Sequence, residues 1–374
     1  MLSTNTEFKA YCHTSIESIA ATCSELGAMP LRTVRQTDTY YRSSAGRLKL
    51  RVDEPGAAAL VFYDRPDMPA PRESHYQSLP VQAPADAMSA LLGRALGVRS
   101  VVEKIRQVYR LGAASINLDV VDGLGTFLEV EVDVRAAGGL DPAQQTAEQL
   151  LTAFGLSQAD IIPWSYAELQ IMFEVASTWR AKLRSHSHPG TLFLLDGASC
   201  SGKSTLVKGL IPDAVAVDLV PRYSTRERRQ DDQRCGEYIF VSHAAFRDLA
   251  FTGGFIEYRD FQFGMSYGLP WAEACSPLLA GRHAVGVINL GNVRHVKAVF
   301  PEAVTILVDA SLETIRQRLV SRGMNTPEQI EERLANAARV AAYRPLYDYV
   351  VTNEEGTLGQ AEQFLRELIL RRTP

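Results

Sequence analysis

The run Gly197-Ala-Ser199-Cys-Ser201-Gly202-Lys203-Ser204-Thr205 has the residue types and spacing to hold a chain of phosphates. Its pattern is GxxxxGK[ST], in which glycines let successive backbone N–H groups converge on phosphate oxygens. The helix that follows turns the positive end of its dipole to the same place. Lys203 is spaced to reach the β- and γ-phosphates, and the Ser204 hydroxyl to ligate Mg²⁺. The apolar run Thr191 to Asp196 precedes the loop and Leu206 to Leu210 follows it, so the motif has the strand–loop–helix setting that a chance glycine-rich turn lacks. ATP with Mg²⁺ is the expected ligand.

Two further groups of charged residues carry less specific signals. Arg222, Arg226, Arg228 and Arg229 cluster downstream of the loop, and such a cluster alone reads as a solvated face. In the first half, Arg47, Lys49 and Arg51 alternate with aliphatic residues, as do Glu129, Glu131 and Asp133. Side chains two apart share one face of a strand. The charged faces then meet water in a half-exposed sheet, or they line a closed barrel whose basic rows grip an anion and whose acidic rows hold its metal.

The elements that position these residues fall into two unlike halves. With 374 residues, 46% hydrophobic and 22% charged, the chain suffices for two domains and excludes disorder over most of its length. Before residue 177, alternation predicts strands at 48–52, 59–63, 101–108, 115–121 and 127–134, with a Pro/Ala-rich loop from Pro66 to Ala85. Beyond residue 190, strand and helix patterns alternate as in a parallel sheet covered by helices. Basic and small polar residues before Pro189-Gly190 mark a linker at 177–190, which leaves domains at 1–176 and 191–374. The patterns themselves read as antiparallel sheet in the first half and as an α/β domain with a parallel sheet in the second.

A net charge of −4 argues against general affinity for nucleic acid or anionic membrane. No apolar stretch reaches the roughly 18 residues of a membrane span, and the first residues do not read as a signal peptide, so a cytoplasmic protein is expected. The five cysteines show no metal spacing and are expected as free thiols. His186 and His188 read as solvated linker residues, and Trp164, Trp179 and Trp271 as packing residues. The partners expected are small phosphorylated molecules; oligomeric state is left open.

From about residue 190 the sequence resembles the guanylate kinases. The resemblance rests on the phosphate loop, on Arg222-Tyr-Ser-Thr-Arg226, Gly236-Glu-Tyr238, Gly254-Phe-Ile-Glu257 and Ser266-Tyr267-Gly268, and on Arg318-Leu-Val-Ser-Arg322-Gly323 with Arg333. It implies that Arg226, Arg229, Tyr238 and Tyr267 hold the phosphate of an acceptor. It also implies that Arg318, Arg322 and Arg333 form a lid over the transferring phosphoryl group, where guanidinium forks pair with phosphate. The sequence departs from the family where guanine is read. Arg222 and Asn289 stand where a serine and an aspartate are expected, and Glu257 keeps the third position. This disfavours guanosine monophosphate and favours a more anionic acceptor or a sugar phosphate, as in the similar ribose 1,5-bisphosphate kinases.

The first 175 residues resemble the CYTH family of triphosphate tunnel enzymes, which includes class IV adenylyl cyclases, thiamine triphosphatases and inorganic triphosphatases. The motifs are Glu7-Phe-Lys9, Gln36-Thr-Asp38-Thr-Tyr-Tyr41, Gly46-Arg-Leu-Lys49-Leu-Arg51, Tyr63-Asp-Arg65, Glu103-Lys104-Ile-Arg106, Asp119 and Glu129-Val-Glu131. The resemblance implies a tunnel lined by Lys9, Lys49, Arg51, Arg65, Lys104 and Arg106 as phosphate ligands. Glu7, Asp119, Glu129 and Glu131 would bind Mg²⁺ or Mn²⁺. The family's opening ExExK is incomplete, with Asn5 in place of its first glutamate. The whole then reads as an ATP- and Mg²⁺-dependent kinase of a nucleoside monophosphate or sugar phosphate, fused to a metal-dependent triphosphate-processing domain. The alternatives are a non-catalytic tunnel that regulates the kinase, and a cyclase-like activity in the first domain.

Overall fold

The computed structural model describes residues 3–12, 14–210, 217–228, 236–261, 264–323, 326–338 and 340–372, with the side chains of 341 and 342 excepted. The chain forms two compact units, Met1–Ile171 and Met172–Pro374.

In the first unit eight strands close on themselves: β1 (Ser3–Tyr11), β2 (Met29–Tyr41), β3 (Arg47–Asp53), β4 (Ala57–Asp64), β5 (Arg72–Val81), β6 (Val98–Leu111), β7 (Ala114–Val121) and β8 (Gly125–Asp133). The order around the barrel is β1-β5-β4-β3-β2-β6-β7-β8, every neighbour is antiparallel, and β8 returns to β1 with Glu7 opposite Glu131 and Lys9 opposite Glu129. Period-two alternation on β1, β7 and β8 separates two environments. Phe8, Ala10, Ile116, Leu118, Leu128, Val130 and Val132 face outward into an apolar core under α1 (Ile16–Glu25) and, in part, α3 (Leu140–Ala153), while the charged residues between them face the lumen. Helix α2 (Ala85–Leu96) lies between β5 and β6 in the chain, and α4 (Tyr166–Arg184) follows α3.

The structure differs from two sequence expectations here. The stretch read as a loop from Pro66 to Ala85 contains β5, which closes the barrel by pairing with both β1 and β4. Pro71 precedes the strand and Pro80 stands one residue before its end, positions where proline is tolerated. The stretch read as a linker is helical as far as Arg184, and the division between the units falls inside α4. Its basic residues are good helix formers, and Arg180 and Arg184 both pair with Glu302, at 2.9 and 3.0 Å.

The second unit comprises β9 (Leu192–Asp196), α5 (Lys203–Leu210), β10 (Val217–Leu219), β11 (Arg222–Ser224), β12 (Tyr238–Phe240), α6 (His243–Phe251), β13 (Phe255–Asp260), β14 (Ser266–Pro270), α7 (Trp271–Leu279) and β15 (His283–Val287). It continues with α8 (Val293–Val299), β16 (Val304–Asp309), α9 (Leu312–Ser321), α10 (Pro327–Ala338), α11 (Val340–Tyr343), β17 (Tyr349–Thr352) and α12 (Leu358–Leu370). A five-stranded parallel sheet of order β10-β15-β9-β16-β17 carries the apolar core. Central β9 is buried at every position, as its unbroken apolar run requires. A second sheet, β12-β11-β14-β13, was not foreseen from the sequence; its three-residue strands are too short to show a period. It carries most of the residues that the sequence resemblance assigns to an acceptor.

Removing the Phe8 ring opens a cavity under α1 and α3. Phe8→Ala is expected to cost about 3–5 kcal/mol, measured by urea denaturation of the full chain followed by a barrel-specific probe.

Candidate functional site

The phosphate loop spans the end of β9 and the start of α5. Two glycines are required by geometry. Gly202 has φ +98° and a Cβ there would lie 2.0 Å from Asn353 Nδ2, while Gly197 has φ +146° and a Cβ there would lie 2.3 Å from the Val308 carbonyl. Cys200 also takes a positive φ, +66°, without being glycine. Conserving this strained turn needs external support. Arg318 supplies it, donating to the carbonyls of Cys200 (3.2 Å), Ser201 (3.3 Å) and Asn353 (3.0 Å), while Asn353 Nδ2 donates to Ser201 O at 2.8 Å. Arg333 donates to Ser199 Oγ at 2.8 Å, and Arg322 caps α9. Arg318 and Arg333 therefore bear on the loop itself, with Arg322 close enough that its charge acts on Lys203.

Lys203 Nζ donates to the carbonyls of Gly197 and Ala198, both at 2.7 Å. Its pKa is lowered to about 8 by burial, opposed by Asp196 and reinforced by Arg222 and Arg322. Ser204 and Thr205 follow in the first turn of α5. The Ser204 hydroxyl is a hard oxygen donor beside Lys203, a fit in chemistry for Mg²⁺. Beneath the loop lies a group that sequence reading missed. Asp196 is fully buried; its Oδ1 accepts from Gly197 N–H at 2.6 Å and its Oδ2 from the Tyr347 hydroxyl. Burial pushes its carboxyl up to about 6 against the pull of Tyr347 and Lys203.

On the acceptor side, β-sheet register places Arg222 opposite Tyr238, and Ser224 opposite Tyr267. The guanidinium of Arg226 lies over the Tyr238 and Phe240 rings (4.8 and 5.0 Å), and that of Arg222 over Tyr267 (5.4 Å). Tyr238 and Tyr267 are 6.0 Å apart, so these five residues form one cation–aromatic cluster. Glu257 accepts from Asn289 Nδ2 at 2.8 Å, from Asn292 Nδ2 at 2.6 Å and from Arg222 at 3.5 Å. Arg229 lies outside the described residues.

In the barrel the rows of opposite charge meet across neighbouring strands. Asp38, fully buried, accepts from Lys49 (2.8 Å) and Arg51 (2.9 Å), with Lys104 at 3.8 Å. Asp119 takes both arms of Arg106 (2.7 and 2.6 Å), Lys104 at 3.4 Å and the Tyr166 hydroxyl at 2.8 Å. Glu129 pairs with Arg106 and, at 3.4 Å, with Lys9. Burial alone would raise the Asp38 and Glu129 carboxyls; their cationic partners hold both well below the usual carboxylate range. The same burial depresses Lys9 to about 8 and Lys49 to about 7. Glu131 moves the other way, raised by burial and then by its neighbours Glu129 and Glu7.

Position along the barrel separates the basic residues. Lys9, Lys49, Arg51, Lys104 and Arg106 belong to the lumen. Arg65 is tied instead to Glu7 (2.9 Å), Asp67 (3.6 Å) and the Pro163 carbonyl (2.7 Å). It stands beside a buried network in which Arg47 holds Asp67 (2.6 Å) and Glu168 (3.0 Å). Tyr166 lies under the cations, with Lys9 Nζ 3.7 Å and Lys104 Nζ 4.9 Å from its ring centre. Asp38 was given no role from the sequence, although the alternation that puts residues 36, 38 and 40 on one face of β2 could have pointed to it. Tyr166 and Glu168 were not legible, because only the fold returns that segment to the barrel.

The expected metal set does not fit as a ready cage. Among the described residues no group of three or more His, Cys, Asp or Glu side chains stands at metal-binding distance. Asp119 is engaged by Arg106, Lys104 and Tyr166. Glu7 is turned to Arg65, and Glu131 to the amides of Asn5 (3.5 Å) and Asn117 (3.4 Å).

The guanylate kinase family model matches residues 190–369 and the CYTH domain model residues 3–166. The chain is 33% identical over 181 residues to the guanylate kinase of Dechloromonas aromatica, covering 48% of this chain and 88% of that one. It is 33% identical over 167 residues to that of Hahella chejuensis, covering 44% and 80%. The solved guanylate kinase of Anaplasma phagocytophilum matches 50% of this chain and 87% of its own with a TM-score of 0.40 and 21% identity. No helix among the described residues is long and apolar enough to cross a membrane.

Two outcomes follow from these charges. Asp38→Asn leaves Lys49, Arg51 and Lys104 facing one another in the lumen and is expected to destabilise the protein by about 3–5 kcal/mol, read by denaturant titration. Asp196 has a folded pKa above its unfolded value, so its ionisation weakens the fold as pH rises from the unfolded toward the folded pKa. Wild type should therefore lose about 2 kcal/mol relative to Asp196→Asn between pH 4 and pH 7. Thermal midpoints of the two proteins across that range check the sign; a constant difference contradicts it.

Proposed function

Through residues 190–369 this chain belongs to the guanylate kinase family, and residues 3–166 are a CYTH domain; from that premise we propose that it transfers the γ-phosphoryl group of ATP to a small, already phosphorylated metabolite, while the barrel takes a triphosphate. The acceptor is a nucleoside monophosphate or a sugar phosphate. The observation that carries the kinase reading is the loop that holds Lys203 between two of its own carbonyls with Arg318 and Arg333 docked on it.

In the reaction the bond from the γ-phosphorus to ADP breaks as an acceptor phosphate oxygen bonds to that phosphorus, and ADP leaves. Backbone N–H groups of residues 197–203 cradle the donor phosphates. Lys203 crosses from the loop carbonyls to the β,γ-oxygens, and Arg318, Arg322 and Arg333 offset charge as the phosphoryl group moves. Ser204 would hold Mg²⁺, which when bound neutralises phosphate charge. Arg226, Tyr238 and Tyr267 fix the acceptor phosphate. No covalent intermediate on the protein is needed, because positioning and charge supply the catalysis.

For the barrel, Lys9, Lys49, Arg51, Lys104 and Arg106 offer five cations to the roughly four negative charges of a triphosphate. Arg65 serves that cluster from the side. One observation favours binding over turnover: Glu7, Glu129 and Glu131 each engage a cation or an amide of the barrel, and Asn5 replaces a carboxylate beside them. A tunnel that binds triphosphate and regulates the kinase is therefore the second reading, beside metal-dependent processing.

Lys203→Ala is expected to lower ATP-dependent phosphoryl transfer at least 100-fold and leave tripolyphosphate binding unchanged, while Lys104→Ala/Arg106→Ala does the reverse. Radiolabelled transfer and calorimetry on the full chain read the two effects; loss of both properties in either variant contradicts two separate phosphate sites.

A further inference from the structure

The acceptor side of the kinase unit contains a carboxylate shielded from any ligand. Glu257 on β13 has 0% exposure, and its Oε2 is occupied by two amide donors, Asn289 at 2.8 Å and Asn292 at 2.6 Å. Asn292 is the informative member. It stands at the N-cap of α8, where an asparagine side chain ordinarily accepts from the first helical N–H groups. Here it makes no such bond. Its amide is spent on Glu257, and its Oδ1 is buried without a partner. The Nε of Arg222, whose side chain is only 10% exposed, is likewise buried and unpartnered. Asn289 also donates to the Tyr267 carbonyl at 3.4 Å, which ties this group to the cation–aromatic cluster.

We propose that Asn292 is a specificity-determining residue: together with Asn289 it occupies Glu257, so that the acceptor meets Arg222 instead of an open carboxylate, and the site selects a phosphorylated acceptor bearing a second anionic group. This rests on the kinase reading above. A purine edge presenting N–H donors needs a free acceptor atom, and an N–H left unpaired in a dry pocket carries the full desolvation penalty. An anion has the opposite match. Arg222 keeps an uncommitted N–H, is only weakly paired with Glu257 at 3.5 Å, and lies beside Arg226 through the Tyr238–Tyr267 pair. Two guanidinium groups within one aromatic cluster suit two anionic groups on one small molecule.

The test uses the full chain with MgATP and three acceptor probes: GMP, a pentose monophosphate and a pentose bisphosphate. Wild type is expected to use or bind the bisphosphate at least tenfold better than the other two. Asn292→Gly/Asn289→Asp, which uncovers the carboxylate, should improve GMP at least tenfold, and Asn292→Ala, which removes the same amide with less disturbance, should move the ratio in the same direction. Arg222→Met should cost the bisphosphate at least tenfold and GMP less than threefold. A wild type that prefers GMP, or a GMP-to-bisphosphate ratio unmoved in both asparagine variants, overturns the proposal. If ATP binds and no acceptor is phosphorylated, the kinase reading fails. The specificity claim is then judged by calorimetric binding of the same probes, where a preference for GMP sinks it separately.

Discussion

Charge removed from water must meet charge, and both units of this protein are organised around that constraint. An isolated buried ion costs several kcal/mol after relaxation, and a linear triphosphate brings about four negative charges. The barrel meets the demand with side chains. Asp38 and Asp119, both wholly buried, each bind two or more cations, so Lys49, Arg51, Lys104 and Arg106 are held in place before any anion arrives. The kinase unit meets it mainly with backbone. Its loop aims amides through glycine geometry, and Arg318, Asn353, Asp196 and Tyr347 brace the loop from below and beside.

The two solutions differ in what a ligand must displace. In the barrel, Lys9 and Lys49 have lowered pKa values because burial outweighs their paired carboxylates. An incoming polyanion supplies the charge they lack and competes with Glu129 and Asp38 for them. In the loop, Lys203 is bonded to neutral carbonyls, which it can leave for phosphate oxygens at little electrostatic cost. The acceptor cluster combines both devices, with rings that hold Arg222 and Arg226 by cation–π contact and a sealed carboxylate behind them.

Much of this was legible in the sequence because it is periodic or local. Alternation placed β3, β4, β6, β7 and β8 within a few residues, and it put charges on the face that the closed barrel turns inward. GxxxxGK[ST] located the loop between β9 and α5. What escaped depends on distant segments meeting. Tyr166 reaches Asp119 across 47 positions, Arg47 reaches Glu168 across 121, and Tyr347 reaches Asp196 across 151. No local pattern encodes such pairs. The pairing of Asp119 escaped for the same reason, since the Arg106 fork that meets it is a matter of register between β6 and β7.

The charge arrangement predicts that one chain holds phosphate chains in two independent places. The most direct measurement is calorimetric titration of the full protein with tripolyphosphate while the kinase loop is filled by a non-hydrolysable ATP analogue. A remaining site of unit stoichiometry is expected, with an affinity that falls only modestly with salt, because its cations are buried. Absence of any binding once the loop is filled would contradict it.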